Sequence, residues 1–163
     1  MKAVQGTVTS RVLGLLALCG LMIAAIPARA EGQQIYDTRA DARQEISAAI
    51  ARASKTGQNV VLVFGANWCP DCHALDAQMH RPDLAHLIAR DFVVVKIDVG
   101  RFDKNLDIGE KYGVPIRKGI PAIAVLGPHG KLLFAQSQGQ FANASSMPYH
   151  DFAEFFEKWK PKW

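Results

Sequence analysis

Val60-Val61-Leu62-Val63-Phe64-Gly65-Ala66-Asn67-Trp68-Cys69-Pro70-Asp71-Cys72 decides the fold. A continuous β-branched and apolar run such as Val60–Phe64 predicts a central strand buried on both faces. Gly65-Ala66-Asn67 turns the chain, and Pro70 favours the first turn of a helix, where its missing N–H costs nothing. The stretch therefore reads strand, turn, helix, with a C-x-x-C pair at the turn. Cys69 then lies at a helix N-terminus, where orphan N–H groups and the helix dipole favour a thiolate. That chemistry is thiol–disulfide exchange. The competing structural reading, a stapling disulfide, is weak, because the ring is minimal and chain-entropy gain grows with loop size.

Outward from this stretch the pattern alternates. Asp37 or Thr38 is expected to cap a helix running to about Ser54, with Ile46, Ala49, Ile50 and Ala53 on one face. Glu31 to Tyr36 reads as a polar lead-in. Beyond the cysteines, a helix carries Leu75, Asp76 and Met79, and Pro82 opens a further helical turn. Phe92–Val99 predicts a second buried strand, and Asp103–Tyr112 a helix ended by Gly113. Pro121–Leu126 and Lys131–Gln136 form a hairpin around Gly127-Pro128-His129-Gly130. In the last helix, from His150 to Lys160, the spacing of Phe152, Phe155, Phe156 and Trp159 makes an apolar face. The order α-β-α-β-α-β-β-α implies an α/β fold with a mixed sheet and helices on both faces.

The chain has 163 residues. Lys2 and Arg11, the uncharged apolar run Val12–Ile26 and Ala28-Arg29-Ala30 have the form of a secretory signal cleaved after Ala30. The apolar run is shorter than the ~20 residues of a membrane-spanning helix. A lipid anchor on Cys19 is disfavoured by bulky Leu18 before it. Residues 31–163 are expected to form a single domain, large enough for a sizeable core. The sequence holds 19 Lys and Arg against 15 Asp and Glu. Three of the basic residues lie in the leader, so the rest is near balance and offers no nucleic-acid surface. Of three cysteines, Cys19 leaves with the leader, so only the C-x-x-C pair is kept. Export to the periplasm or beyond gives an oxidising setting for it.

The chain resembles the thioredoxin superfamily at Val60–Phe64, Ala66, Trp68, Cys69, Cys72, Tyr112-Gly113-Val114 and Gly119-Ile120-Pro121, across roughly Val60 to Trp159. Cys69 to Asp76, with Met79, Pro82 and Leu84, is similar to the C-terminal thioredoxin-like domain of the transmembrane thiol:disulfide interchange protein. The resemblance implies a thioredoxin-like sheet of about four to five strands. It also implies a cis-proline at Pro121 and a substrate-facing backbone at Ile120. Trp68 would shield the site or belong to the core. Thioredoxin's buried Asp is replaced by Val63. Asp76, one turn beyond Cys72, is the candidate substitute proton acceptor, or else a solvated helix charge. Pro115-Ile116-Arg117 is extra relative to a thioredoxin loop and lies near the proline.

In the implied cycle Cys69 is the more exposed sulfur and the attacking one, and Cys72 resolves the mixed disulfide. Asp71 sets a negative charge between the sulfurs. Unless it faces solvent and is screened, it should oppose the Cys69 thiolate and make the dithiol more reducing. The expected activity is a disulfide reductase without a cofactor beyond the Cys69–Cys72 pair. It would act as a monomer on protein thiol and disulfide substrates, with a membrane thiol:disulfide interchange protein as electron donor. An oxidant or isomerase on the same fold is the alternative. Cys69-x-x-Cys72-His73 also matches c-type haem attachment, although the strand before it is unlike a small helical cytochrome. Zinc would need a second ligand pair that the sequence lacks. A redox-inert binding module would have no need of both cysteines. His80, His86, His129 and His150 show no pairing pattern and are expected at the surface.

Overall fold

The computed structural model describes residues 33–162. The proposed leader and Cys19 lie outside the described residues. Four strands, β1 Asn59–Gly65, β2 Phe92–Asp98, β3 Ala122–Leu126 and β4 Leu132–Ala135, form one sheet in the order β2-β1-β3-β4. β1 runs parallel to β2, with Val63 opposite Lys96, and antiparallel to β3, with Phe64 opposite Ala122. β3 and β4 make the expected hairpin.

β1 is buried along its whole length. Its side chains alternate between two cores, as a strand period of two requires. Val60, Leu62 and Phe64 pack with α1 (Ala42–Thr56) and with Ile108 and Tyr112 at α4 (Leu106–Lys111). Val61 and Val63 face the opposite side, with Leu75 and Met79 of α2 (Pro70–Met79), Leu84 and Ile88 of α3 (Pro82–Asp91), and Phe152 and Phe156 of α5 (Tyr149–Trp159). Full burial of one such Phe or Leu is worth about 1.5–3 kcal/mol relative to exposure. Of the aromatic face of α5, Phe152 and Phe156 are core, and Phe155 and Trp159 pack half-buried against it. No helix among the described residues is long and apolar enough to cross a membrane.

Several boundaries differ from the sequence reading. α1 starts later, because Asp41 is its cap: Asp41 Oδ1 accepts from Arg43 N and Gln44 N at 3.0 and 3.1 Å. Asp37 instead closes a local turn onto Arg39 N at 2.8 Å. β2 is an edge strand, half-buried at Val93, Val94 and Lys96 rather than fully buried. α4 is short because Phe102 and Asn105 adopt positive φ of 64° and 54°, which breaks the helix expected from Asp103. The further helical turn expected from Pro82 is a full second helix, α3, divided from α2 at His80-Arg81. Pro115-Ile116-Arg117 enters a 3-10 turn at Ile116–Lys118, in which Ile116 is buried against Gly109.

Candidate functional site

Cys69 is the N-cap residue of α2. Its extended backbone (φ −88°) turns the side chain back over the first helical turn. The sulfur accepts from Cys72 N at 3.2 Å and faces the Ile120 carbonyl oxygen at 3.5 Å. Pro70 occupies the first helical turn. The Ile120–Pro121 peptide is cis, and both residues are buried. No disulfide joins the two described cysteines. Greater exposure of Cys69 is not what separates them, since Cys69 and Cys72 are 3% and 1% exposed. Electrostatics separates them instead. The Cys69 thiol is lowered from its ordinary value chiefly by the Cys72 S–H bond, with burial opposing it. Cys72 is driven far up, first by that same bond and then by desolvation.

Asp71 is neither free in solvent nor set between the sulfurs. Its Oδ1 accepts from Ser145 N at 2.9 Å and Ser145 Oγ at 2.7 Å, across to the 3-10 turn Ala144–Ser146. Its charge still opposes the Cys69 thiolate, but ranks below the Cys72 bond and burial. Trp68 is not core. It is 47% exposed, with Nε1 donating to the Gly100 oxygen at 2.8 Å and its ring edge-on to Phe102 at 5.9 Å. Asp76 is largely buried rather than solvated. It pairs with Lys96 on the edge strand and lies 3.5 Å from His80 Nδ1. Lys96 is opposite Val63 in the sheet, so the Asp76–Lys96 pair borders that position of β1 from the neighbouring strand.

The rival readings of the motif meet geometry that does not suit them. A haem would need His73 and both sulfurs turned to one open face. Instead His73 Nε2 is engaged by the Asn67 carbonyl at 2.7 Å, and Cys72 is sealed beneath β1. Among the described residues no three His, Cys, Asp or Glu side chains are gathered as a metal would require. His80, His86, His129 and His150 are exposed.

Sequence reasoning missed Tyr36. Within the supposed polar lead-in it is only 2% exposed and stands against the site. Asn67 clamps it there. Asn67 Oδ1 accepts from Ile35 N and Tyr36 N, both at 2.8 Å, and Asn67 Nδ2 donates to the Tyr36 backbone carbonyl oxygen at 2.9 Å. The one legible signal was Ile35-Tyr36 itself, an apolar pair within a polar run.

A family model described as thioredoxin-like matches residues 41–128, which hold both cysteines and Pro121. The solved disulphide isomerase from Xylella fastidiosa Temecula1 is 44% identical, with a TM-score of 0.74, covering 77% of this chain and 96% of that one. A thioredoxin from Thermus thermophilus shares the fold at 22% identity and a TM-score of 0.52, over 69% of this chain and 81% of that one. The reduced C-terminal domain of DsbD from Neisseria meningitidis gives the same identity and TM-score, over 72% and 96%. A probable nucleoredoxin 3 from Oryza sativa subsp. japonica is 30% identical over 95 residues, 47% of this chain but only 20% of that much longer protein. The chain belongs to the thioredoxin-like family and carries its thiol–disulfide oxidoreductase fold.

Proposed function

We propose that the protein is an exported thiol–disulfide oxidoreductase that works as a disulfide reductase. The observation that carries the oxidoreductase reading is the asymmetry of the dithiol, while the reducing direction rests on the Asp71 charge that opposes the Cys69 thiolate. One sulfur caps α2 and is stabilised as a thiolate by an N–H and an S–H, while the other is held protonated beneath it. Cys69 thiolate attacks a substrate disulfide, and its new S–S bond displaces one substrate sulfur, which takes a proton from solvent. Cys72 then loses its proton and attacks the Cys69 sulfur. The Cys69–Cys72 disulfide forms, the bond to substrate breaks, and the second substrate sulfur leaves and is protonated. The two electrons come from the dithiol, so no cofactor enters the cycle.

The Ile120 carbonyl, 3.5 Å from the Cys69 sulfur, sits where an extended substrate backbone would pair beside the reacting disulfide. Asp71, fixed by Ser145, opposes the Cys69 thiolate and so makes the dithiol more reducing. The leader implies a periplasmic or extracellular site of action, and re-reduction there calls for a membrane donor such as a thiol:disulfide interchange protein. The domain acts as a monomer on protein thiols and disulfides. A second reading, disulfide isomerisation, is favoured by the 44% identical Xylella protein described as a disulphide isomerase.

The deciding experiment is the Cys69/Cys72 reduction potential, by equilibration against glutathione or dithiothreitol, alongside insulin reduction with Cys69→Ser as control. A potential near about −270 mV supports the reductase, whereas one near about −120 mV makes the protein an oxidant. No insulin reduction above the Cys69→Ser control would remove the oxidoreductase reading altogether.

A further inference from the structure

The resolving sulfur has a neighbour that the exchange cycle has not used. Gly65, the last residue of β1, lies where Tyr36 and Cys72 converge. A Cβ on Gly65 would stand 2.2 Å from Tyr36 Oη and 2.8 Å from Cys72 Sγ. The hydroxyl and the sulfur therefore crowd one small space, free of side-chain atoms only because residue 65 is glycine. Tyr36 is placed there by a single side chain, that of Asn67, which accepts from Ile35 N and Tyr36 N, donates to the Tyr36 carbonyl oxygen, and lies in the turn carrying Trp68 and Cys69.

We propose that the Tyr36 hydroxyl donates a hydrogen bond to the Cys72 sulfur and stabilises it as the attacking thiolate in the resolving step. The inference rests on the oxidoreductase reading of the same site. Its physical reason is the burial of Cys72: a thiolate there has lost its hydration and needs a donor in place of water. While Cys69 is a thiolate, the Cys72 proton is shared with it. Once Cys69 is in a mixed disulfide that bond is gone, and desolvation is the main obstacle left to Cys72 ionisation. A phenol O–H aimed at the sulfur offsets it. A bond from Tyr36 would favour the Cys72 thiolate, opposing the Cys69 bond, the burial and the Cys69 charge that keep Cys72 protonated.

Tyr36 acts as a donor and not as a base. Its hydroxyl is held well above its ordinary value, first by burial and then by Cys72, Cys69 and Asp76, so it keeps its proton throughout the working range. These three are the titratable groups that face it, all on α2 or its cap. Asp76 is itself paired with Lys96 of β2. The proton shed by Cys72 passes to solvent, and the departing substrate thiolate takes one up, so the step balances without any transfer through Tyr36.

Tyr36→Phe keeps the ring and removes the donor. Reduced protein is mixed with a model disulfide substrate, quenched with acid, and the mixed disulfide counted by mass spectrometry. The expected result is a mixed disulfide that persists about tenfold longer or more, the range of a hydrogen bond to a charged group, with the first attack by Cys69 almost unchanged. In a Cys69→Ala background, the same substitution should raise the Cys72 titration by about one unit, the equivalent of tenfold. A purely structural role for Tyr36 would not move that titration. If Tyr36→Phe does not fold, 3-fluorotyrosine at position 36 keeps the packing and strengthens the donor, so the Cys72 titration should fall. An active wild type with both readouts unmoved overturns this inference alone. An inactive wild type overturns the oxidoreductase reading beneath it.

Discussion

Cys69 and Cys72 are three residues apart at the start of one helix, yet they face opposite worlds. Around Cys69 the parts are open or polar: Trp68 is half-exposed, Asp71 is tied to an exposed Ser145, and the Ile120 carbonyl is aimed at the sulfur. Around Cys72 everything is closed: Gly65 above, Tyr36 beside it, and the Asn67 amide bolting Tyr36 in place. The difference shows how one residue type performs two tasks within a single helical turn. The helix start supplies donors to the first sulfur, while the second, equally buried, is left holding its proton.

The most severe way to break this comparison is to remove one sulfur at a time. Cys69→Ser should abolish insulin reduction, because no other described thiolate is available to attack. Cys72→Ser should still attack substrate but stop at the mixed disulfide, visible as a covalent adduct on a non-reducing gel. Equal accumulation of adducts on both variants would mean that the sulfurs are interchangeable.

Gly65→Ala attacks the closed side. The added methyl would meet Tyr36 and Cys72 at distances no real side chain tolerates, and overpacking of this kind costs about 1–3 kcal/mol. Urea unfolding measures the loss, and an unchanged midpoint would mean that the space beside Gly65 is not close-packed. Asn67→Ala comes next. It leaves two backbone N–H groups and one carbonyl without their partner, at a cost of about 1–3 kcal/mol if they stay buried. Hydrogen exchange at the Ile35 and Tyr36 amides should accelerate well before that of β1.

The pH response sharpens the contrast. Iodoacetamide labelling of Cys69 should rise with pH to a midpoint below the ordinary thiol value, while Cys72 stays unlabelled well above it. The linkage has two signs. Cys69 is lowered in the fold, so its contribution to the stability of the reduced form is present above the unfolded thiol value and is lost as pH falls through the folded one. Cys72 is raised, so its contribution is present below the unfolded value and is lost at alkaline pH. Labelling of both thiols with one midpoint would erase the asymmetry. The smallest effect is expected from Asp71→Asn. Removing a charge that weakly opposes the Cys69 thiolate should lower the Cys69 midpoint slightly and make the potential slightly less reducing.

What the sequence made legible is what local rules govern. The β-branched run, the turn, the proline at the helix start and the C-x-x-C spacing place Cys69 at the cap of α2 with no knowledge of the rest. What it hid are contacts across the fold. Ser145 reaches Asp71 over 74 residues, and Asn67 reaches Tyr36 over 31. Lys96 meets Asp76 only because β2 pairs with β1. No period or cap signal encodes such meetings. The misplaced cap of α1 is a different failure: Asp37, Thr38 and Asp41 are all acceptable caps, and only packing selects the third.

The sheet order carries a consequence for how the site comes into being. β1 is the central strand, but its partners arrive late in the chain: Phe92 pairs with Asn59, and Ala122 with Phe64. Such long-range pairings are slow to form. As the chain emerges N-terminus first, both sulfurs are present long before β3 brings the Ile120 carbonyl and the strand that walls the site. For that interval Cys69 and Cys72 are two ordinary thiols on an unfinished chain, open to any oxidant they meet. Their unequal reactivity is thus a late acquisition, completed only when the third strand docks.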